Sequence, residues 1–349
     1  MKKFLFLAII LPVVISICSI CASAEVTSQK YGDNITVYVS EDRTTLHLSG
    51  SGRMYDRPEN THYIDCGTIT TVKIDHGITH LGNYAFYGLR YVEEIIIPST
   101  VTEIGSNAFS SCYELKNVVI PDGVTKIGEN AFNSCNKLEK IILPQTLESI
   151  GAGCFANSGI IEISIPDKIT DIPERAFDSC KNLKKITLPE GIERIGEDAF
   201  LKCTTLESIS LPDTVKIIES GAFYECEALC DIRINEGLEV LGSHVFMFCY
   251  NMKYLYLPSS ITELGDHILS YSGVTKVEYN GTKDQWTKIR PKFWPGDRSS
   301  YDGSGIFSTP TCLQGSSCGA NLESGYVAIA LTAVAICFIV KKKKAHCDK

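Results

Sequence analysis

The sequence predicts an α/β repeat solenoid: one short β-strand per 23-residue coil, entered through an N-terminal β cap. Three observations predict it. Phenylalanine recurs at Phe86, Phe109, Phe132, Phe155, Phe177, Phe200, Phe223 and Phe246, in steps of 23 residues with one step of 22. Leu269 takes the same place one step on, and Tyr63 one step back. A proline closes seven of the strand-like stretches: Pro98, Pro121, Pro144, Pro166, Pro189, Pro212 and Pro258. A fixed period in the twenties is the mark of stacked units that bury each other's apolar faces.

One unit shows how a coil is built. In residues 115–135 the apolar positions are Leu115, Val118, Ile120, Val124, Ile127, Ala131 and Phe132. Leu-x-x-Val-x-Ile gives an anchor and then two alternating inward residues of a strand. The proline cannot donate to a ladder, so the strand ends there. Ile-Gly follows (Ile104-Gly105, Ile127-Gly128, Ile150-Gly151, Ile195-Gly196), where glycine suits a tight corner or a positive φ. Glu-Asn-Ala-Phe then reads as about one helical or 3₁₀ turn with the aromatic ring inward. The phenylalanine column reads as core, each ring contributing about 1.5–3 kcal/mol on burial.

The pattern Leu-x-x-Ile-x-Leu-Pro-x-x-Val-x-x-Ile-Gly-x-x-Ala-Phe-x-x-Cys resembles the BspA-like class of leucine-rich repeats over residues 63–279. Residues 46–55 resemble the β segment that precedes such arrays, and residues 277–289 their closing cap. The departures are small: Ile172-Pro173 and Ile218-Glu219 lack the corner glycine, and Asn235 replaces the strand-ending proline. The resemblance implies a leucine-rich-repeat right-handed superhelix, surface adhesion and contact with host or matrix. It implies no catalytic residues. The expected layout is an N-terminal β cap at 25–62, the solenoid at 63–279 and a C-terminal cap at 280–290.

The flanks give an address. Lys2-Lys3, the apolar stretch Phe4–Ile17 and Ala22-Ser23-Ala24 read as a secretory signal peptide at 1–24. Residues 325–340 form an uncharged apolar run followed by Lys341–Lys344, which reads as a transmembrane helix with a cytoplasmic tail at 341–349. The run is short, and lysine stems that snorkel extend it. A lipid-anchor signal and a cell-wall sorting signal are the alternatives; the basic tail argues against the first and the absent Leu-Pro-x-Thr-Gly against the second. Residues 291–324, rich in Ser, Gly and Pro, read as a stalk. The layout is a single-pass type I cell-membrane protein with extracellular repeats. Residues 25–340 carry 26 Lys+Arg against 40 Asp+Glu, a net charge of −14. That balance argues against nucleic acid and against docking on anionic lipid.

Fifteen cysteines in an exported chain suggest disulfides, but their spacing does not. Cys66, Cys112, Cys135, Cys180, Cys203, Cys226 and Cys249 share one repeat position, three after the aromatic. Equivalent residues of adjacent coils stack with parallel side-chain vectors, which a disulfide cannot use. They read as a buried thiol ladder, and Cys154 as buried beside it. Cys312 and Cys318 are the disulfide candidates, closing a small stalk loop. Cys337 and Cys347 lie where palmitoylation occurs, and equally read as ordinary small residues. Asn34-Ile35-Thr36 and Asn280-Gly281-Thr282 match the glycosylation acceptor in a eukaryotic host, making Asn34 and Asn280 candidates.

Chemistry is hard to find. No phosphate loop, nucleotide fingerprint, cofactor motif or Gly-x-Ser-x-Gly occurs. His76-x-x-x-His80 has helical metal spacing but spans a strand-to-corner segment, so no metal site is expected. The sequence therefore reads as a binding protein rather than an enzyme. The residues flanking each central strand residue point outward in two rows. One row carries Ile96, Val119 and Ile142, an apolar stripe; the far end carries Tyr254 and Tyr256, with Arg233 one coil away. Exposed aromatics with arginine, and contiguous apolar patches, are typical of interfaces. The tyrosine end reads as the first anchor and the stripe as the second. Two functions fit: an adhesin or receptor for protein or glycan on another cell or on matrix, or a displayed coat or antigen that binds nothing.

Overall fold

The structure, a computed structural model, describes residues 31–58 and 68–292, and Thr311–Cys312 as backbone. The expected signal peptide, the coil around Tyr63 with Cys66, the Cys318 half of the expected bridge, the membrane segment and the tail lie outside the described residues. The repeats stack as a parallel β-solenoid. Residues Glu94–Ile96, Asn117–Val119, Lys140–Ile142, Glu162–Ser164 and Lys185–Thr187 are successive strands of one sheet, each alternating exposed, buried, exposed. The register pairs each residue with its own repeat equivalent, Val118 with Ile141 and Val119 with Ile142. A period that returns the same residue to the same place fixes that register, because a slip of one would turn the apolar set outward.

The expectation of one strand per coil needs correction. Each coil has a second, two-residue strand just before the corner: Glu103–Ile104, Lys126–Ile127, Ser149–Ile150 and so on to Glu263–Leu264. These pair in parallel with their equivalents, as Lys126 does with Ser149. Of the two reasons expected for the corner glycine, a tight corner or a positive φ, the second does not hold. A Cβ on Gly128 would lie 2.5 Å from the Ser106 nitrogen of the preceding coil. Gly128 serves close approach between coils; its φ is not positive.

The α part of the expected class also changes. The segment around each phenylalanine is a chain of turns with two left-handed residues four apart: Asn107 (φ 56°) and Ser111 (63°), Asn130 (52°) and Ser134 (60°), His244 (60°) and Phe248 (64°). Alternate N–H groups leave the coil: those of Asn107, Phe109 and Ser111 donate to Glu129, Ala131 and Asn133 carbonyls at 2.8 Å. The intervening N–H groups close i→i−3 turns, as from Ala108 to Gly105. A helix spends all its N–H groups on itself, whereas here half of them link coils. The one α-helix among the described residues is α1 (Lys283–Ile289), with a capping box between Thr282 and Gln285.

Inside, the eight phenylalanines are fully buried. Neighbouring rings stack at 5.1–6.0 Å between centroids, tilted by 2–21°. The ladder thiols Cys112, Cys135, Cys180, Cys203, Cys226 and Cys249 are free and buried beside them, as is Cys154.

At the N-terminal end, β1 (Asn34–Val39) and β2 (Thr45–Arg53) form an antiparallel hairpin. Thr45–Leu48 of β2 pairs with β3 (Thr71–Ile74), and its Gly52–Arg53 end with β4 (Ile78–Leu81), so one long strand begins both ladders. At the other end, Trp286 of α1 is buried with its ring 5.5 Å from that of buried Tyr279. Thr311–Cys312, within the expected stalk, adds a strand parallel to Lys276–Tyr279. Two residues are too few to show alternation, so only the pairing edge reveals that strand.

Candidate functional site

The first ladder runs as one sheet from Thr71–Ile74 to Lys185–Thr187 and continues as two further sheets, Ser208–Ser210 with Asp231–Arg233 and Tyr254–Leu257 with Lys276–Tyr279, and the predicted outward rows are outward. Ile96, Val119 and Ile142 are 52%, 61% and 48% exposed. Their neighbours Ile95, Val118 and Ile141 on the same strands are buried. Ile96 and Val119 meet in a shallow groove of about 730 Å³, with Thr70, Thr71, Glu94, Asn117 and Pro121 on its walls. Lys116 and Glu93, paired at 2.6 Å, complete its rim. Ile142, in register with Val119, carries the apolar stripe one coil further.

The tyrosine end is a different environment. Tyr254 and Tyr256 sit two apart on the strand Tyr254–Leu257, with Leu255 buried between them. Tyr254 Oη donates to Glu278 Oε2 at 2.5 Å, and Tyr256 Oη donates to Glu236. Lys276 binds Glu278 at 2.6 Å and lies 5.7 Å above the Tyr254 ring. Burial, then the facing carboxylate, pushes both phenols well above their ordinary value. The Lys276 hydrogen bond, then that of Tyr254, holds Glu278 below the usual carboxylate range. The structure thus brings the two tyrosines together, but it spends their hydroxyl protons inside the protein. Arg233 is exposed on the strand Asp231–Arg233. Among the described residues nothing binds it to either tyrosine, and the cation at this end is Lys276.

Sequence reasoning missed Glu236 and the role of Glu278. The signal for Glu236 was the departure beside it. Asn235 is buried, its amide donating to the Pro212 and Val215 carbonyls while its oxygen accepts from Gly237 N at 2.7 Å. An aromatic cluster was also missed. Phe248 stacks on Tyr271 at 5.1 Å, and Tyr224 and Tyr250 meet Phe248 edge-on. Its signal was an aromatic two residues after the core position, at Phe248 and Tyr271, where other coils have Asp, Gly, Ser, Asn, Lys or Glu.

The remaining candidates separate. Asn34 is exposed on β1. The amide of Asn280 donates to both Glu236 oxygens at 3.3–3.4 Å, and the Thr282 hydroxyl of its acceptor triplet caps α1. Cys312 is in the short strand at the sheet edge. His76 is exposed while His80 is buried, its Nδ1 2.7 Å from Glu103 Oε2. Burial, then nearby Arg53, keeps the His80 pKa below its ordinary value against the pull of Glu103. No group of three metal-ligating side chains forms among the described residues. Nor is any helix among them long and apolar enough to cross a membrane.

Comparison with known proteins follows the repeat. A profile of the BspA type leucine rich repeat region, in 6 copies, matches residues 59–184 and 170–292. No curated protein gives a significant match. A leucine-rich repeat protein of Bacteroides ovatus is 30% identical, covering 76% of this chain and 68% of that one, with a TM-score of 0.59. The leucine-rich repeat protein of T. pallidum is 26% identical over 64% of this chain and 91% of that one (TM-score 0.41). The pneumococcal vaccine antigen PcpA is 16% identical over 73% and 82% (TM-score 0.44). Two overlapping profile matches that run across the described solenoid, on coils with this strand face, make the chain a member of the BspA-type leucine-rich repeat family.

Proposed function

We propose that this chain is a non-enzymatic surface protein that binds protein or glycan on another cell or on matrix through its strand face. Residues 1–24 would direct export, and residues 325–340 would hold the chain in the membrane with the repeats outside. The observation that carries the reading is the stripe Ile96–Val119–Ile142. Three β-branched side chains stand 48–61% exposed on adjacent coils, two of them lining a groove, and among the described residues none of the three is part of the buried core. An apolar patch of this kind, rimmed by polar groups, suits a partner's side chains.

The stripe ranks above the tyrosine end. Tyr254 and Tyr256 still offer ring faces, but their hydroxyls must leave Glu278 and Glu236 before donating to a partner. Saturable binding of the full chain to immobilised matrix proteins and to arrayed glycans tests the reading. Ile96→Ser, Val119→Ser and Ile142→Ser together should weaken binding by about 2 kcal/mol or more, the scale of a hot spot. Tyr254→Ser with Tyr256→Ser should weaken it less. If no saturable binding occurs, the chain is a displayed coat. If the triple variant binds like its parent, the stripe is not the anchor.

A further inference from the structure

We propose that the outer edge of β1 is an interface for a second copy of this chain, joined strand to strand in antiparallel register about a two-fold axis through Val37. The directions of the backbone groups follow from the hydrogen bonds of β2 and the two-residue period of a strand. The carbonyls of Thr44 and Leu48 accept from Thr70 and Asp75, so the even residues of β2 face the solenoid. The Thr45 carbonyl accepts from Ser40 N, so the odd residues face β1. The register then bonds Asn34, Thr36 and Tyr38 to Ser51, Ser49 and His47. Ile35, Val37 and Val39 direct their N–H and C=O groups away from β2. Among the described residues nothing meets them there, and β1 has no pairing but that with β2.

Such an edge is a template for another strand unless it is blunted by proline, lysine, an inward charge or a bulge. Asn34–Val39 has none of these. The strand is also complementary to itself. With Val37 on the axis, Val37 meets Val37 of the second copy and Ile35 meets its Val39, each pair exchanging both hydrogen bonds. On the exposed side Thr36 then lies opposite Tyr38 of the copy, a favourable cross-strand pair. Beyond the strand, Asp33 approaches Glu41 of the copy, a like-charge contact that salt would screen. Strand addition of this length is weak alone and gains strength through multivalency on a surface. The hairpin stands at the opposite end of the solenoid from residue 292. If the C-terminal anchor of the proposed function holds, such a pair links chains on facing surfaces; the pairing itself does not depend on that anchor.

The test is sedimentation of the full chain in detergent micelles, made in a bacterial host so that Asn34 carries no glycan. The expected result is a concentration-dependent dimer that tightens as salt rises. Val37→Pro removes the central outward donor without taking a bond from β2, and should abolish the dimer. Thr36→Lys with Tyr38→Lys, and Thr36→Glu with Tyr38→Glu, change only exposed side chains. Each alone should weaken the dimer about tenfold or more, because positions 36 and 38 of the two copies face each other. Mixing the lysine and glutamate forms should restore association as a heterodimer, which no purely structural role would do. A monomeric parent, a dimer untouched by the paired charge variants, or a mixture that fails to reassociate would overturn the proposal. If Val37→Pro fails to fold, the charge pairs decide alone.

Discussion

Each buried thiol of the ladder has the same acceptor. Cys112, Cys135, Cys180, Cys203, Cys226 and Cys249 donate to the carbonyls of Phe86, Phe109, Phe155, Phe177, Phe200 and Phe223, at 3.0–3.4 Å. Ser158, which fills the same position in the short coil, lies 3.3 Å from Cys180 Sγ. The thiol is therefore both a small apolar filler and a weak donor across the coil boundary. Burial pushes Cys112, Cys180 and Cys249 up to about 12 and the other ladder thiols well above the ordinary value. The thiolate is the reactive form, so these groups are inert in the native chain. An alkylating reagent should label the six only after denaturant is added, read by mass mapping. Native labelling, or a Cys112–Cys135 or Cys203–Cys226 bridge, would refute the ladder.

The coil as an element depends on its corner. Gly105, Gly128, Gly151, Gly196, Gly242 and Gly265 all place their missing Cβ within 2.1–2.7 Å of backbone in the preceding coil. Backbone cannot rotate away as a side chain can, so Gly128→Ala must push two coils apart. The prediction is a loss of about 1–3 kcal/mol, the range for overpacking, measured as a lower denaturation midpoint. Gly123 provides the contrast. It has φ 118° but nothing nearer than 3.5 Å, so its replacement strains the local backbone without wedging the coils. An unchanged midpoint for Gly128→Ala would mean the coils can part at the corner freely. Pro173 and Glu219 occupy the equivalent place in two coils; Glu219 uses it to hold Arg194 through two bonds at 2.8–2.9 Å.

For the whole molecule, stability is a sum of neighbour interfaces, and the phenylalanine column runs through those from Phe86 to Phe246. Phe132→Ala removes a ring stacked on Phe109 at 5.1 Å and Phe155 at 6.0 Å. The loss should be about 3–5 kcal/mol. Hydrogen exchange should show it spreading into the coils on both sides, because each ring belongs to two interfaces. Protection lost in one coil alone would show that coils do not fold as a coupled stack.

The sequence by itself determined what repetition determines. The period, the buried phenylalanines, the unbridged thiols and the outward stripe Ile96–Val119–Ile142 all follow once equivalent residues must stack on one another. Tertiary structure decided what lies within a coil and at its ends. The second strand at Lys126–Ile127 and the left-handed pairs such as Asn107 and Ser111 are stabilised by hydrogen bonds to the next coil, which no local pattern of apolar residues encodes. The partners of Tyr254 and Tyr256 come from other coils, so the order of residues along one strand could not name Glu278 or Glu236. The outer edge of β1 was equally hidden, since an edge is defined by what the described residues do not place beside it.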